Sequence, residues 1–397
     1  MLLRLLWIGC ALLTALPLVA RQLSPRAEIS LLTIDPGAEL YSAFGHTAVW
    51  IHDPGLGFDR VYNYGTFDFQ PGKELEFYLN FVQGRLNYRL DVETYRHFDR
   101  VYRYFKRAYF AQVLNLTQAQ KQAVYDFLET NYLPENRYYL YEFFYDNCAT
   151  RVRDLFKSVL GDSLRYAAVQ QPTAQTHRDL LEVYLEDRYW ADFGIDLALG
   201  AVVDHRVTPW ERMFLPDFLA DEFAQARVLT PAGEQPFVRE RRDLYPGALT
   251  VQPEPWYLRP SVLFALLALA GGWLTYRQWR SQRLRLGWDV ALFGLSGLGG
   301  LVLLLLWVAT IHTAPAHNYN LLWLLPTHLL VAPLLLRTRR PAWLGRYFLI
   351  SAALTALPIL GWLFLPQQFN PAFGPWMLLL LTRSLWLGLR LPLTQPT

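Results

Sequence analysis

Residues 141–162 read YEFFYDNCATRVRDLFKSVLGD, and this stretch decides how the first part of the chain is interpreted. Its aromatic half stops at Asp146, and apolar residues then recur at the spacing of a helix until Gly161. These apolar positions are Val152, Leu155, Phe156, Val159 and Leu160. The pattern predicts a helix that begins at Cys148. Unpaired N–H groups and the positive end of the helix dipole stabilise a thiolate there, and the charge of Arg151 adds to the effect.

Cys148 is the only cysteine beyond the N-terminal segment. Residues 1–20 read MLLRLLWIGCALLTALPLVA, which predicts a secretory signal peptide or a retained signal-anchor. An exported domain with one thiol can form no internal disulfide, so the thiol is either a buried small hydrophobe or a free nucleophile. Its position at a helix start, rather than on the apolar helix face, favours the nucleophile.

Charge is divided unevenly along the 397 residues. Residues 261–397 contain no Lys, no Glu, one Asp and ten Arg, a formal charge of +9, so the first 260 residues carry −6 within the total of +3. So few charges exclude an ordinary water-facing C-terminal domain, and with it a purely cytoplasmic globular enzyme. The acidic N-terminal part argues against nucleic acid as a partner.

Five apolar stretches follow Pro260, each near the roughly 20 residues that a helix needs to cross the hydrocarbon layer. They span about 258–276, 290–311, 321–336, 347–365 and 373–391. Arginines fill the first and third loops between them, whereas loops 312–320 and 366–372 have no Lys or Arg. Because positive residues mark the cytoplasmic side, the pattern predicts a five-helix transmembrane bundle with these two loops outside.

The exported part alternates apolar and polar residues with a period of two, which predicts strands joined by short turns. These strands read ISLLTI, GHTAVWI, RVYNYGTFDF and GRLNYRLDV. Residues 74–81 form a short amphipathic piece, and a helix is expected over 117–130 with Thr117 and Gln120 at capping-box spacing. The domain is therefore α+β. We expect three regions: a signal segment at 1–20, a periplasmic catalytic domain at 21–255 and a transmembrane domain at 256–397.

A cysteine nucleophile needs a general base. The exported domain contains five histidines: His46, His52, His97, His177 and His205. His46 opens a strand directly after Gly45, where a small residue allows close approach. The other four histidines are expected at the surface, in packing positions or in irregular segments. Asn63, on the second arm of the same hairpin, is the natural partner because an amide fixes the imidazole tautomer without adding charge. The predicted catalytic residues are Cys148, His46 and Asn63.

The order of a histidine, a polar residue and then a cysteine at a helix start is that of circularly permuted papain-like enzymes. The chain resembles the Lnb group of bacterial lipoprotein N-acyltransferases over most of residues 28–390. The matching blocks are LYSAFGHTAVWI, VYNYGTFDF, FVQGRLNY, PENRYY, DNCATRVRD and NYNLLWLLP. The resemblance implies a permuted papain-like α+β domain followed by an all-α five-helix transmembrane bundle.

The resemblance also implies the final step of lipoprotein maturation at the bacterial inner membrane. An acyl chain would pass from a membrane phospholipid to Cys148 as a thioester, and then to the α-amino group of a diacylglyceryl-modified cysteine of a lipoprotein. His46 would act as base in both half-reactions. We expect no cofactor, and we expect the substrates to contact Asn147 and Arg151 near the helix start and His317, Asn318 and Asn320 in the outer loop.

Two other functions stay open. The first is a membrane-anchored papain-like cysteine hydrolase that acts on peptidoglycan peptides or on lipid esters. One anchoring helix would suffice for a cell-wall enzyme, so five helices with a polar outer loop favour a lipid substrate. The second is a non-catalytic binding module in which Cys148 is structural. The sequence has no HExxH, no paired Cys-x-x-Cys and no EF-hand loop, so no metal site is predicted.

Overall fold

The computed structural model describes residues 21–68, 71–167, 171–250 and 252–391, so the predicted signal segment lies outside the described residues. The strands are β1 (Glu28–Ile34), β2 (His46–Asp53), β3 (Phe58–Phe67), β4 (Asn87–Thr94), β5 (Tyr109–Leu114), β6 (Tyr138–Leu140), β7 (Leu164–Arg165), β8 (Arg227–Thr230), β9 (Gly233–Pro236) and β10 (Val238–Tyr245). The helices are α1 (Glu74–Gln83), α2 (Tyr95–Tyr104), α3 (Gln118–Tyr132), α4 (Cys148–Leu160), α5 (His177–Leu185), α6 (Tyr189–Ala198), α7 (Pro209–Arg212), α8 (Pro216–Gln225), α9 (Pro260–Ser281), α10 (Gly287–Val308), α11 (His328–Val331), α12 (Leu344–Leu360) and α13 (Phe373–Arg390).

An antiparallel sheet in the order β10-β5-β1-β2-β3-β4-β6 forms the body of the N-terminal domain. Strand β1 pairs with β2 along its length, from Glu28 opposite His52 to Ile34 opposite His46. The predicted strands β1 to β4 are all present. The period-two pattern missed β5, because every residue of this strand is buried and no polar face alternates with an apolar one.

Helices α3 and α4 pack on this sheet as their sequence patterns predict. The apolar face of α4 is buried, with Val152, Leu155 and Phe156 at most 1% exposed. Burying each of these side chains stabilises the fold by about 1.5–3 kcal/mol. Helix α3 begins with the expected capping box, in which Thr117 Oγ1 accepts from Gln120 N at 3.2 Å and Gln120 Oε1 accepts from Thr117 N at 2.9 Å.

The C-terminal region is helical, but its third segment differs from the single helix predicted over 321–336. The chain there forms a 3₁₀ turn at Tyr319–Leu322, then α11, then a second 3₁₀ turn at Ala332–Leu336. Pro326 and Pro333 explain the interruptions, because proline lacks an N–H group and clashes with the preceding turn.

Two glycines of α10 let this interrupted segment pack closely. A Cβ at Gly300 would lie 1.9 Å from the carbonyl oxygen of Leu324, and one at Gly297 would lie 2.5 Å from the backbone nitrogen of Leu329. Non-helical backbone at membrane depth is tolerated where it is buried in protein. Among the described helices, α10 is long and apolar enough to cross a membrane, and α12 is apolar but shorter.

Polar contacts join the two regions through both loops that the charge pattern places outside. Asn318 and Asn320 each donate from Nδ2 to the carbonyl oxygen of Leu197 in α6, at 2.9 and 3.2 Å. Asn370, in the second loop, donates to the carboxylate of Asp196 in α6 at 2.9 Å. Helix α6 is therefore a shared attachment point for both loops.

Candidate active site

The candidate site lies where strands β2 and β3 separate. Their pairing ends at Val49 opposite Tyr62, and the pairing of β3 with β4 shifts register just after Asn63. Gly65 lies in this irregularity with a φ of 90°, a conformation that residues with side chains rarely adopt. A Cβ at Gly65 would lie 3.7 Å from the Cβ of Cys148. The glycine thus allows the start of α4 to approach the strand.

Cys148 is the first residue of α4, as predicted, and it is buried. A capping box fixes the helix start: Asn147 Oδ1 accepts from Thr150 N at 2.9 Å, and Thr150 Oγ1 accepts from Asn147 N at 2.7 Å. Burial raises the pKa of the Cys148 thiol, against opposing contributions from the N–H groups of Thr47 and Ala149. The thiol is therefore protonated at neutral pH and needs a base to become a nucleophile.

His46 and Asn63 meet across the hairpin, as predicted. His46 Nε2 lies 3.2 Å from Asn63 Oδ1, and Asn63 Nδ2 donates to Glu93 Oε1 at 2.9 Å. Because an ionised Glu93 carboxylate can only accept, the amide of Asn63 presents its oxygen to His46. Nε2 of His46 then carries the proton, and Nδ1 is left as the basic nitrogen.

The surroundings of His46 keep its imidazole neutral. Burial and the charge of Arg107 lower the pKa of His46 to about 4, against the hydrogen bond to Asn63, which raises it. A backbone hydrogen bond from Thr47, the next residue along the chain, lowers the pKa of the Cys148 thiol, so the start of β2 lies next to the cysteine. The resting pair is a neutral thiol and a neutral imidazole.

Arg107 is a site residue that the sequence did not indicate. It directly precedes Ala108 and β5, is 9% exposed, and donates from Nε to the carbonyl oxygen of Asp35 at 2.8 Å. Its Nη2 has no hydrogen-bond partner within the described residues. The positive charge acts on both Cys148 and His46. No local pattern marks Arg107, because its place beside the site arises only from the pairing of β5 with β1.

Arg151 does not supply the charge that the sequence assigned to it. Its guanidinium donates to both carboxylate oxygens of Asp146, at 2.6 and 2.7 Å, and lies 3.5 Å from the ring centre of Tyr139. The ion pair with Asp146 balances the charge of Arg151 and engages its Nε and Nη2 groups. The cation whose field lowers the pKa of Cys148 is Arg107 instead.

Asn147 holds the fold rather than presenting a free amide to a substrate. Its Oδ1 accepts from the N–H groups of Ala149 and Thr150, and its Nδ2 donates to the carbonyl oxygens of Phe143 and Phe214. All four hydrogen-bonding positions of the amide are occupied. Its contribution to the site is the position of Cys148.

The outer-loop candidates are engaged elsewhere too. Asn318 and Asn320 attach the loop to α6, and both are buried. His317 is exposed, and its ring lies 5.4 Å from that of Trp307. No contact in the described chain joins these three residues to Cys148. Of the predicted substrate-binding residues, His317 alone keeps an exposed side chain without a hydrogen bond.

The other histidines do not replace His46. Nδ1 of His97 pairs with the second carboxylate oxygen of Glu93. This exposed residue is therefore the outer end of a series of hydrogen bonds that runs from His46 through Asn63 and Glu93. His52 and His205 face carboxylates, and His177 packs among aromatic rings. Within the described ranges, no group of three or more His, Cys, Asp or Glu residues is placed to hold a metal ion.

The fold and the site define the class: an α+β domain with a buried Cys148, a buried Asn63 and a partly buried His46, joined to an apolar helical region. Two family models match the chain, the Lnb N-terminal periplasmic domain over residues 20–183 and the Lnb transmembrane domain over residues 252–391. The chain therefore belongs to the Lnb family and is a lipoprotein N-acyltransferase-like membrane protein with a periplasmic domain. Searches of curated proteins and of solved structures gave no significant match.

Proposed function

We propose that this protein is an apolipoprotein N-acyltransferase of the bacterial inner membrane. It moves an acyl chain from a membrane phospholipid, through a thioester on Cys148, to the α-amino group of the diacylglyceryl-cysteine of lipoproteins. The observation that carries this proposal is the arrangement of Cys148, His46 and Asn63 on a domain that polar contacts attach to the membrane region.

The first half-reaction forms the thioester. Nδ1 of His46 takes the thiol proton as Cys148 Sγ attacks the ester carbonyl carbon of the phospholipid. The N–H group of Thr47 and the charge of Arg107 favour the negative charge that develops on sulfur and on the carbonyl oxygen. The carbon–oxygen ester bond then breaks, the leaving alkoxide takes the proton from His46, and a lysophospholipid departs.

The second half-reaction consumes the thioester. The neutral α-amine of the diacylated lipoprotein attacks the carbonyl carbon, and His46 accepts a proton from the amine as the carbon–sulfur bond breaks. The proton then returns to Cys148 and restores the resting pair. Because the pKa of His46 is lowered to about 4, the imidazole is unprotonated and available as a base in both half-reactions at neutral pH.

The proposal places residues 1–20 in a signal segment, 21–255 in the periplasm and 256–397 in a five-helix membrane domain. The contacts of Asn318 and Asn370 with α6 support this arrangement, because the two loops without Lys or Arg both reach the N-terminal domain. The catalytic cysteine would then work beside the headgroups, where both lipid substrates are found.

A complementation experiment tests the reaction. In a strain that lacks its own N-acyltransferase, the wild-type protein should convert diacylated lipoprotein N-termini to the triacylated form, as measured by mass spectrometry. Cys148→Ser and His46→Ala should not, whereas His97→Ala, which changes an exposed histidine, should retain conversion. Triacylation by the Cys148→Ser variant would contradict the proposal, and so would cleavage of peptidoglycan peptides without any lipid adduct.

A further inference from the structure

Helix α1 exposes an apolar face that nothing in the described chain covers. None of its residues is buried. Leu75, Tyr78, Leu79 and Val82 follow the i, i+3, i+4, i+7 spacing of one helix face, and they are 73%, 59%, 51% and 49% exposed. Phe81 beside them is 53% exposed. A soluble domain rarely leaves such a contiguous apolar face in water.

The C-terminal end of α1 is fixed to the outer end of α10. The N–H group of Ile311 donates to the carbonyl oxygen of Gln83 at 3.0 Å, and the ring of His312 lies 3.2 Å from the carbonyl oxygen of Phe81. Gly84 ends the helix with a φ of 74°, and a Cβ there would lie 2.8 Å from Ile311. Because α10 is long and apolar enough to cross a membrane, these contacts hold α1 at the level where that helix leaves the bilayer.

A row of aromatic rings connects α1 with the candidate site. Phe77 of α1 lies 5.5 Å from Phe67, which lies 5.5 Å from Tyr88, and Tyr88 lies 4.5 Å from Tyr141, all between ring centres. Tyr141 approaches within 3.5 Å of the position a Cβ would take at Gly65. The same glycine position adjoins Cys148, so the row runs from α1 to the nucleophile.

We propose that α1 lies in the interfacial layer of the membrane, with its apolar face among the lipid chains of the periplasmic leaflet. Glu74 and Glu76, in the first turn, remain in water with the headgroups, as in other amphipathic helices that lie in the membrane plane. The aromatic row from Phe77 to Tyr141 is then the surface along which an acyl chain reaches Cys148. This second part rests on the proposed function, whereas the membrane contact does not.

Fluorescence quenching tests the membrane contact without any chemistry. In a Cys10→Ala, Cys148→Ser background, a bimane label is placed at Leu79→Cys or at Leu229→Cys, and the full chain is reconstituted in vesicles that contain doxyl-labelled phospholipid. Leu229, on β8, is the matched control because it is 48% exposed, nearly the same as Leu79. We expect quenching at position 79 to be about threefold stronger than at position 229. Equal quenching at the two positions would overturn the proposal.

A second measurement tests the path to the cysteine. Leu75→Asn combined with Leu79→Asn should slow acylation of Cys148 by vesicle phospholipid about tenfold, because the apolar face no longer enters the lipid. Acylation by water-soluble p-nitrophenyl butyrate should be unchanged, which shows that the variant is folded and reactive. Unchanged acylation by vesicle phospholipid in the variant would overturn the path. Wild-type protein that is acylated by neither donor would instead contradict the proposed function.

Discussion

Two buried arginines, one beside the candidate active site and one in the membrane domain, are held in opposite ways. Arg383 donates to both carboxylate oxygens of Asp289, at 2.7 and 2.8 Å, and to Thr275 Oγ1 at 2.6 Å. Within the described ranges, the Arg107 side chain has one hydrogen bond, to the backbone oxygen of Asp35, and lies over the ring of Tyr102, and its Nη2 has no hydrogen-bond partner. Both side chains are buried, so the difference lies in their partners and not in their exposure.

The comparison distinguishes a buried cation with a complete set of partners from one without it. A buried charge without a partner costs free energy, and folds usually supply hydrogen bonds and counter-charges to offset the loss of water. Arg383 has such a set, which joins α9, α10 and α13. Arg107 lacks such a set, and its charge acts on Cys148 and His46. We infer that the unpaired Nη2 group of Arg107 is available to bind the anionic intermediate of the proposed reaction.

The largest effect is expected from removing the partner of Arg383. Asp289→Ala leaves a buried guanidinium without its counter-charge and should lower the free energy of unfolding by about 3–5 kcal/mol. Thermal unfolding of the purified protein in detergent measures the loss. The double variant Asp289→Leu, Arg383→Met is the control, and it should recover most of the stability. An Asp289→Ala protein as stable as the wild type would show that the pair is not a structural element.

Replacing Arg107 should slow the reaction and leave the stability of the fold nearly unchanged. Arg107→Met removes an incompletely paired charge, so the free energy of unfolding should change by no more than about 1 kcal/mol. Acylation of Cys148 should slow about 100-fold, because the charge that favours the developing anion is lost. Single-turnover acylation from phospholipid vesicles measures the rate, and Arg107→Lys should recover part of it. If Arg107→Met lost as much stability as Asp289→Ala and acylated normally, Arg107 would serve the fold and not the reaction.

A smaller effect is expected at Glu93, which acts through Asn63. Glu93→Ala frees the Asn63 amide to turn its NH₂ group towards His46, so part of the population holds the wrong imidazole tautomer and acylation slows about tenfold. Glu93→Gln keeps an acceptor oxygen and should restore most of the rate. His97→Ala is the control on the exposed side of the carboxylate. If it slows acylation as much as Glu93→Ala, the effect does not pass through Asn63.

The smallest effect concerns pH. The pKa of His46 is lowered to about 4, so the base stays unprotonated as pH falls through 6.5, and acylation should decline only as pH approaches 4. Arg107→Met removes one cause of this lowering, so the acid limb of its rate profile should lie at higher pH than in the wild type. Rates of single-turnover acylation between pH 4 and 8 would show this. A wild-type rate that already halves near pH 6.5 would contradict the geometry around His46.

The sequence predicted the parts of the site that local patterns mark. Cys148 follows from a helix start, and His46 and Asn63 follow from one hairpin. Arg107 and Glu93 were missed because their contacts depend on strand pairings across the sheet. Arg151 was misassigned because proximity along the helix did not reveal its pairing with Asp146.

In the membrane region, too, contacts between distant parts of the chain were not predicted from local patterns. Hydropathy located the third segment but not its interruption, although Pro326 and Pro333 are visible in the sequence and could have predicted it. Asn318 and Asn320 were expected to bind substrate because they lie in the polar outer loop, on the same side of the membrane as the exported domain. Their actual partners are backbone carbonyls of α6, a helix more than 100 residues earlier, which no local pattern reveals.

The central claim, that Cys148 carries the acyl chain, is tested most directly by peptide mass spectrometry. Purified protein is incubated with phospholipid vesicles, and the peptide that contains Cys148 is measured before and after a diacylated lipopeptide is added. The wild-type peptide should gain one acyl chain, sensitive to hydroxylamine, and should lose it as the lipopeptide becomes N-acylated. Cys148→Ser should do neither. N-acylation of the lipopeptide by Cys148→Ser, or an acyl chain trapped on another residue of the wild type, would contradict the claim.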